Sequence, residues 1–120
     1  MNDFTPSPLK PTISADLLAE IDVRVGIIER VEDVSRSDKL VKLTANFGDH
    51  RRTILARLKQ ERQDPQEVTG RQALFVVNLA PRRMAGEVSE GMLFDLGYED
   101  GVKPALAVPE WPVPDGTCAG

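Results

Sequence analysis

Val41, Leu43, Ala45 and Phe47 alternate with Lys42, Thr44 and Asn46, a period of two that predicts a strand with one wet face. Gly48-Asp49 makes a turn, and Arg51 to Leu58 returns with Ile54, Ala56 and Leu58 inward and Thr53, Leu55 and Arg57 outward. Leu55 is out of place on a wet face, which predicts a loop or partner lying over it. Upstream, Ile21, Val23 and Val25 alternate with Asp22, Arg24 and Gly26 until Ile27-Ile28 break the phase. A bulge at Gly26 accounts for the slip and bends a first strand that must serve both sides of a small barrel.

The longest unbroken apolar run, Ala73 to Val77, suits a strand buried on both faces. Asn78 closes it, Pro81 cannot donate to a sheet, and Arg82 and Arg83 follow at once. Gly86 and Gly91 allow tight turns around Ser89, after which Met92, Leu93 and Phe94 return to the core. Further strands are expected near Met92–Leu96 and Ala105–Val108, separated by an acidic loop at Tyr98–Gly101, and Pro109, Pro112 and Pro114 end regular structure around Trp111. Helix is scarce. Ser14 is a plausible N-cap for a short helix reaching Glu20, and Asp64-Pro65-Gln66-Glu67 reads as a capped helical turn with Glu67 closing a capping box before Gly70 stops it.

Five or so short strands, with one small helix between the third and fourth and another at the N-terminus, predict an all-β chain. A five-stranded OB-fold Greek-key barrel fits that count, and a small β-sandwich is the alternative that patterning alone leaves open. Residues 1–12, with Pro6, Pro8 and Pro11 and little to bury, read as a disordered arm ahead of one domain spanning 13–120.

Composition adds exclusions. At 41% hydrophobic and 28% charged the chain is ordinary for a globular domain. No run approaches a membrane span, and MNDFTPSPLKP lacks the apolar centre of a signal peptide, so a cytoplasmic location without membrane contact is expected. One cysteine, Cys118, read as lying in a frayed C-terminus, and one histidine, His50, in a turn, cannot build a zinc site within one chain. No cofactor or metal is expected. No nucleophile–base pairing or phosphate-cradling glycine loop stands out, which argues against an enzyme.

Charge is segregated. The net charge is −4, yet residues 51–86 carry eight basic and three acidic side chains, while 1–50 carry six and nine and 87–120 one and seven. Arg51, Arg52 and Arg57 therefore join Arg82 and Arg83 as candidates for a polyanion-binding patch, since such binding depends on local potential more than on total charge. With 5% aromatic residues, base stacking is expected to contribute little.

The segments IDVRVGIIERVE (21–32), SDKLVKL (37–43), NLAPRRMAG (78–86), SEGM (89–92) and PVPDG (112–116) resemble, in order and spacing, the OB-fold tRNA-binding domain family. That family includes free-standing tRNA-binding proteins, C-terminal domains of methionyl-tRNA synthetases, and CsaA-like chaperones. The resemblance implies a non-catalytic protein that recognises tRNA shape through phosphate contacts, or a chaperone that binds unfolded or pre-secretory polypeptides. It places Asn78, Arg82, Arg83, Ser89 and Met92 on the binding edge with Lys39 nearby, Met92 being read as core support. It also implies a homodimer paired through terminal extensions, for which Leu17, Leu18, Trp111 and Val113 are the apolar candidates. Two departures stand out: Val34-Ser35 replaces a frequent His-Pro, and Ala56-Arg57-Leu58 stands where a small pair is common, so Arg57 adds charge and bulk to the expected binding face.

Overall fold

The structure, a computed structural model, describes residues 4–120. Its frame is an all-β barrel. Strand β1 (Val23–Asp33) pairs with β4 (Gln72–Val76) through residues 23–27 and with β2 (Val41–Asn46) through residues 27–33, all antiparallel. One long strand thus serves both halves of the barrel, as its broken phase predicts. Strand β3 (Arg51–Ala56) pairs with β2, and β4 pairs with the short β7 (Met92–Leu93).

The seam between β3 and β7 closes through segment 89–91. The Glu90 N–H donates to the Thr53 carbonyl at 2.8 Å, and the Thr53 N–H donates to the Glu90 carboxylate at 2.8 Å. Closure leaves no long exposed sheet edge, so the OB-type barrel, not the sandwich, is the fold. Between β5 (Arg82–Met84) and β6 (Glu87–Ser89) a small ribbon projects, and β8 (Asp95–Leu96) pairs with β9 (Ala105–Leu106).

Burial follows the alternation. Val41, Leu43, Ala45 and Phe47 are buried, as are Ile54, Ala56 and Leu58. Phe75 fills the centre and meets Phe47 edge-to-face, 5.4 Å between ring centroids, the arrangement ring quadrupoles favour. A 3-10 helix, Pro65–Val68, brings the fully buried Val68 into the core between β3 and β4. Asp64 caps it through the Gln66 N–H at 3.0 Å. Glu67 does not close the capping box; its carboxylate receives the Arg62 guanidinium instead. Helix α1 (Ala15–Leu18) is capped by Ser14, which accepts from the Leu17 N–H at 3.1 Å.

Three local expectations are corrected. The bulge lies at Glu29, where the register with β2 slips between Ile28 and Arg30, and not at Gly26. Gly26 instead admits the Phe47 ring: a Cβ there would stand 2.7 Å from Phe47 Cε1. The third strand ends at Ala56, because Leu58 turns into helix α2 (Leu58–Glu61), which buries that residue. Cys118 is not frayed; it lies in β10 (Cys118–Ala119), which pairs with Val23 and Arg24 along the edge that β2 leaves uncovered.

Residues 4–14 form no helix or strand and lie exposed, with the Ser7 hydroxyl donating to Asp100; residues 1–3 of the expected arm fall outside the described residues. No helix among the described residues is long and apolar enough to cross a membrane.

Candidate nucleic-acid interface

The sequence around Arg82 and Arg83 forms a β-ribbon, where a simple turn was expected. Arg82 pairs with Ser89, Arg83 with Val88 and Met84 with Glu87. At its tip Ala85 and Gly86 both take positive φ, +50° and +82°, the handedness that lets a two-residue hairpin turn match strand twist.

Cross-strand partners share a face. One face carries Ser89 and Glu87 toward the barrel: Ser89 is buried and its Oγ accepts the Leu55 N–H at 3.0 Å, while Glu87 receives Lys42 Nζ at 3.4 Å. The other face carries Arg83 and Val88 to solvent. The ribbon is what covers Leu55, which is 6% exposed. At the tip, the Arg36 guanidinium packs so close to Gly86 that a Cβ would lie 2.7 Å from its Nη1. Arg82 shares the Ser89 side of the ribbon and Arg83 the Val88 side, yet both are exposed, and neither forms an ion pair among the described residues.

Other cations gather at the same end. Register pairs Val41 with Ala56 and Lys42 with Leu55, which sets the start of β2 beside the end of β3. The Lys59 N–H reaches the Lys39 carbonyl at 3.2 Å, bringing exposed Lys39 next to the segment that follows Arg57. The Arg57 guanidinium carbon lies over the Tyr98 ring, 4.1 Å from its centroid. Arg36, Lys39, Lys42, Arg57, Arg82 and Arg83 thus converge around the ribbon.

Arg51 and Arg52 do not join them. They occupy the opposite end of β3, about 13–17 Å of strand away from Ala56. Arg51 Nε donates to Glu29 at 2.6 Å; that bond, with another from Asn46, holds the Glu29 carboxyl below its ordinary range. Arg52 clamps the barrel seam, donating to the Val77 and Glu90 carbonyls at 3.0 and 3.1 Å and to His50 Nε2 at 2.9 Å. Lys59 is likewise engaged, with Asp33 at 2.7 Å and two loop carbonyls.

Asn78 and Ser89 have internal partners. Asn78 accepts from the Asp22 N–H at 2.8 Å and donates to the Glu20 carbonyl at 2.7 Å, so its side chain fastens the chain entering β1. Ser89 accepts from Leu55 and donates to the Gly91 carbonyl at 3.0 Å. Met92, expected to support the core, is 44% exposed, because its neighbour Leu93 takes the inward position of a two-residue strand.

Sequence reading missed Arg36, Lys42 and Tyr98. Lys42 had a signal in its outward place in the alternation; Arg36 and Tyr98 lie in loops whose path no periodicity describes. Among the described residues, no group of three or more His, Cys, Asp or Glu side chains is placed to hold a metal ion.

A family model described as "Putative tRNA binding domain" matches residues 23–118, from the start of β1 into β10. Among solved structures, the chain is similar to a MetRS related protein from Pyrococcus horikoshii, at 32% identity over 92% of this chain and 100% of that one, with a TM-score of 0.84. It is also similar to the CsaA chaperone protein of Picrophilus torridus, at 26% identity over 91% and 100% of the two chains, TM-score 0.79. Chaperone CsaA of Bacillus anthracis shares the fold at 24% identity, TM-score 0.79, over 92% and 100%.

Proposed function

The chain belongs to the tRNA-binding domain family, and on that premise we propose that it is a non-catalytic, cytoplasmic module that grips tRNA through backbone phosphates. The observation that carries this reading is the pair Arg82 and Arg83, exposed and without acidic partners among the described residues, on a ribbon fixed to the barrel at Leu55, Lys42 and Arg36. A guanidinium fork matches phosphate oxygens in a bidentate way. Holding two such forks on a docked ribbon lowers the ordering entropy lost on binding.

Lys39, Lys42 and Arg57 extend the positive surface from the ribbon onto β2 and the end of β3. Arg51 and Arg52 contribute at the far end, through field more than contact. Asn78 and Ser89 act by holding the edge in shape, and Met92 borders it.

A second reading, that the ribbon engages unfolded polypeptide, draws support from the likeness to CsaA chaperones and from the exposed apolar Val88 beside Arg83 and Met92 nearby. Salt separates the two. Phosphate binding weakens steeply as ionic strength rises, whereas apolar burial does not. Fluorescence anisotropy with labelled tRNA and with a labelled unfolded polypeptide, across a salt series, is the test; the proposal requires the salt-sensitive tRNA complex.

We further propose that the protein is a homodimer. Ile13, Leu17, Leu18 and Ile21 are each between 45% and 61% exposed around α1, which buries none of its residues, and Trp111 is 64% exposed. Exposed apolar side chains grouped around one short helix mark an interaction site in a chain of this size.

A further inference from the structure

We propose that Arg57 and Tyr98 form a stacking platform for one unpaired RNA base at the edge of the phosphate-binding face. The inference rests on the tRNA reading above and adds a base contact to it.

Tyr98 is the chain's only tyrosine. Its ring carries the Arg57 guanidinium at 4.1 Å, and its hydroxyl donates to Gln60 Oε1 at 3.3 Å. The ring is thus tied to α2, the helix that begins immediately after Arg57. These two contacts fix the ring at the junction of β3 and α2.

Arg57 lies over one side of this fixed ring and is exposed. An exposed guanidinium held over a ring on one side leaves its other side to solvent as a cationic, weakly hydrated surface. Nucleobases stack on such planes as readily as on aromatic rings, and with little regard to base identity. The position suits a strand that continues past the phosphate contacts: Lys39 is brought beside this segment by the Lys59–Lys39 backbone bond, and Lys42 pairs in register with Leu55, two residues before Arg57. Phe47 and Phe75 are buried in the core and offer no ring to a base. The platform therefore takes one base, extruded or at a single-stranded end.

The test uses the full chain and three RNA hairpins of one stem sequence, with a short unpaired 3′ tail, with the same tail lacking its bases, and with no tail. The base-bearing tail should bind at least about fivefold tighter than the abasic tail, the low end of a single stacking contact at an exposed site. Tyr98→Leu and Arg57→Lys should each bring that ratio near one while leaving the untailed hairpin's affinity within about twofold for Tyr98→Leu. Tyr98→Phe keeps the ring and should keep the ratio. Circular dichroism of each variant checks that the barrel is intact. Equal binding of both tails by the parent protein overturns the platform and leaves phosphate gripping in place. If no hairpin binds, the tRNA reading falls and the platform with it. Tyr98-dependent capture of an unfolded polypeptide without RNA binding also overturns it.

Discussion

The Ser89 hydroxyl accepts the Leu55 N–H at 3.0 Å, so a residue of the exposed ribbon satisfies a buried backbone donor on the barrel edge. One bond thereby couples the seam of the fold to the element bearing Arg82 and Arg83. Ser89→Ala strands the Leu55 N–H, and a buried donor left without a partner costs about 1–3 kcal/mol. Urea unfolding should show that loss. Binding measured well below the melting transition should weaken too, because the arginines lose their fixed mount.

Gly91 sits where the seam closes, and its role is spatial, since a Cβ would stand 2.7 Å from the Val76 carbonyl and 2.9 Å from Ile54 Cδ1. Backbone cannot yield as a side-chain tip does. Gly91→Ala should destabilise the barrel by roughly 1–3 kcal/mol, as overpacking does, and a urea midpoint equal to the parent's would contradict the closure described here.

Glu61 on α2 lies against Asp95 of β8. Burial first, and then the neighbouring carboxyl, push Glu61 up to about 7 from an ordinary 4.5, against the opposing pull of Arg57 and Arg62. The native chain therefore keeps a proton that the unfolded chain has released. By linkage, that stabilisation is complete below about pH 4.5 and is lost as pH rises through about 7. The melting temperature of the parent should fall from about pH 5 to about pH 8 relative to Glu61→Gln, whose neutral amide mimics the protonated acid. Parallel curves for the two proteins would show that Glu61 titrates normally.

Asn78 fastens residues 20–22 by two hydrogen bonds. Its replacement by alanine should cost about 1–3 kcal/mol, at ~0.5–1.5 per bond, and should expose α1 and the chain on either side of it to faster proteolytic cleavage. If α1 also carries the dimer contact, the same variant should dissociate at higher protein concentration in sedimentation, and deletion of residues 1–19 should yield monomers. Sedimentation of the intact chain as a monomer at tens of micromolar, where an interface of standard size would be populated, would rule the dimer out.

The barrel was legible wherever a period of two ran long enough to fix a face, as in Val41–Phe47 and Ile54–Leu58. The elements that escaped are the ones too short to have a period: α2 with four residues, the β5–β6 ribbon with three in each strand, and β10 with two, which pairs with the edge of β1 beside Val23. The bulge was rightly sensed from the Ile27-Ile28 phase slip but misplaced, because Gly26 and Glu29 both break an alternation and only the packing of Phe47 separates them. At the candidate site, arginine identity was legible and arginine availability was not. Arg51 and Arg82 are the same residue beside a strand, but the slip at Glu29 delivers a carboxylate to Arg51, while Arg82 forms no ion pair among the described residues. Asn78 and Ser89 find their partners, Asp22 and Leu55, 56 and 34 residues away, beyond any local pattern.

The central claim, that the anchored ribbon grips phosphate through Arg82 and Arg83, is tested most directly by measuring tRNA affinity for the parent and for the Arg82→Ala/Arg83→Ala double variant across a salt series. With roughly three to five phosphate contacts in all, the parent's log–log salt slope should be about −2 to −4. The double variant should bind more than about tenfold more weakly at low salt, at ~1.4 kcal/mol or above for two charge-assisted bonds, with a shallower slope and unchanged melting, since exposed charges contribute little to folding. A double variant that binds tRNA as tightly as the parent, with the same slope, would contradict the account.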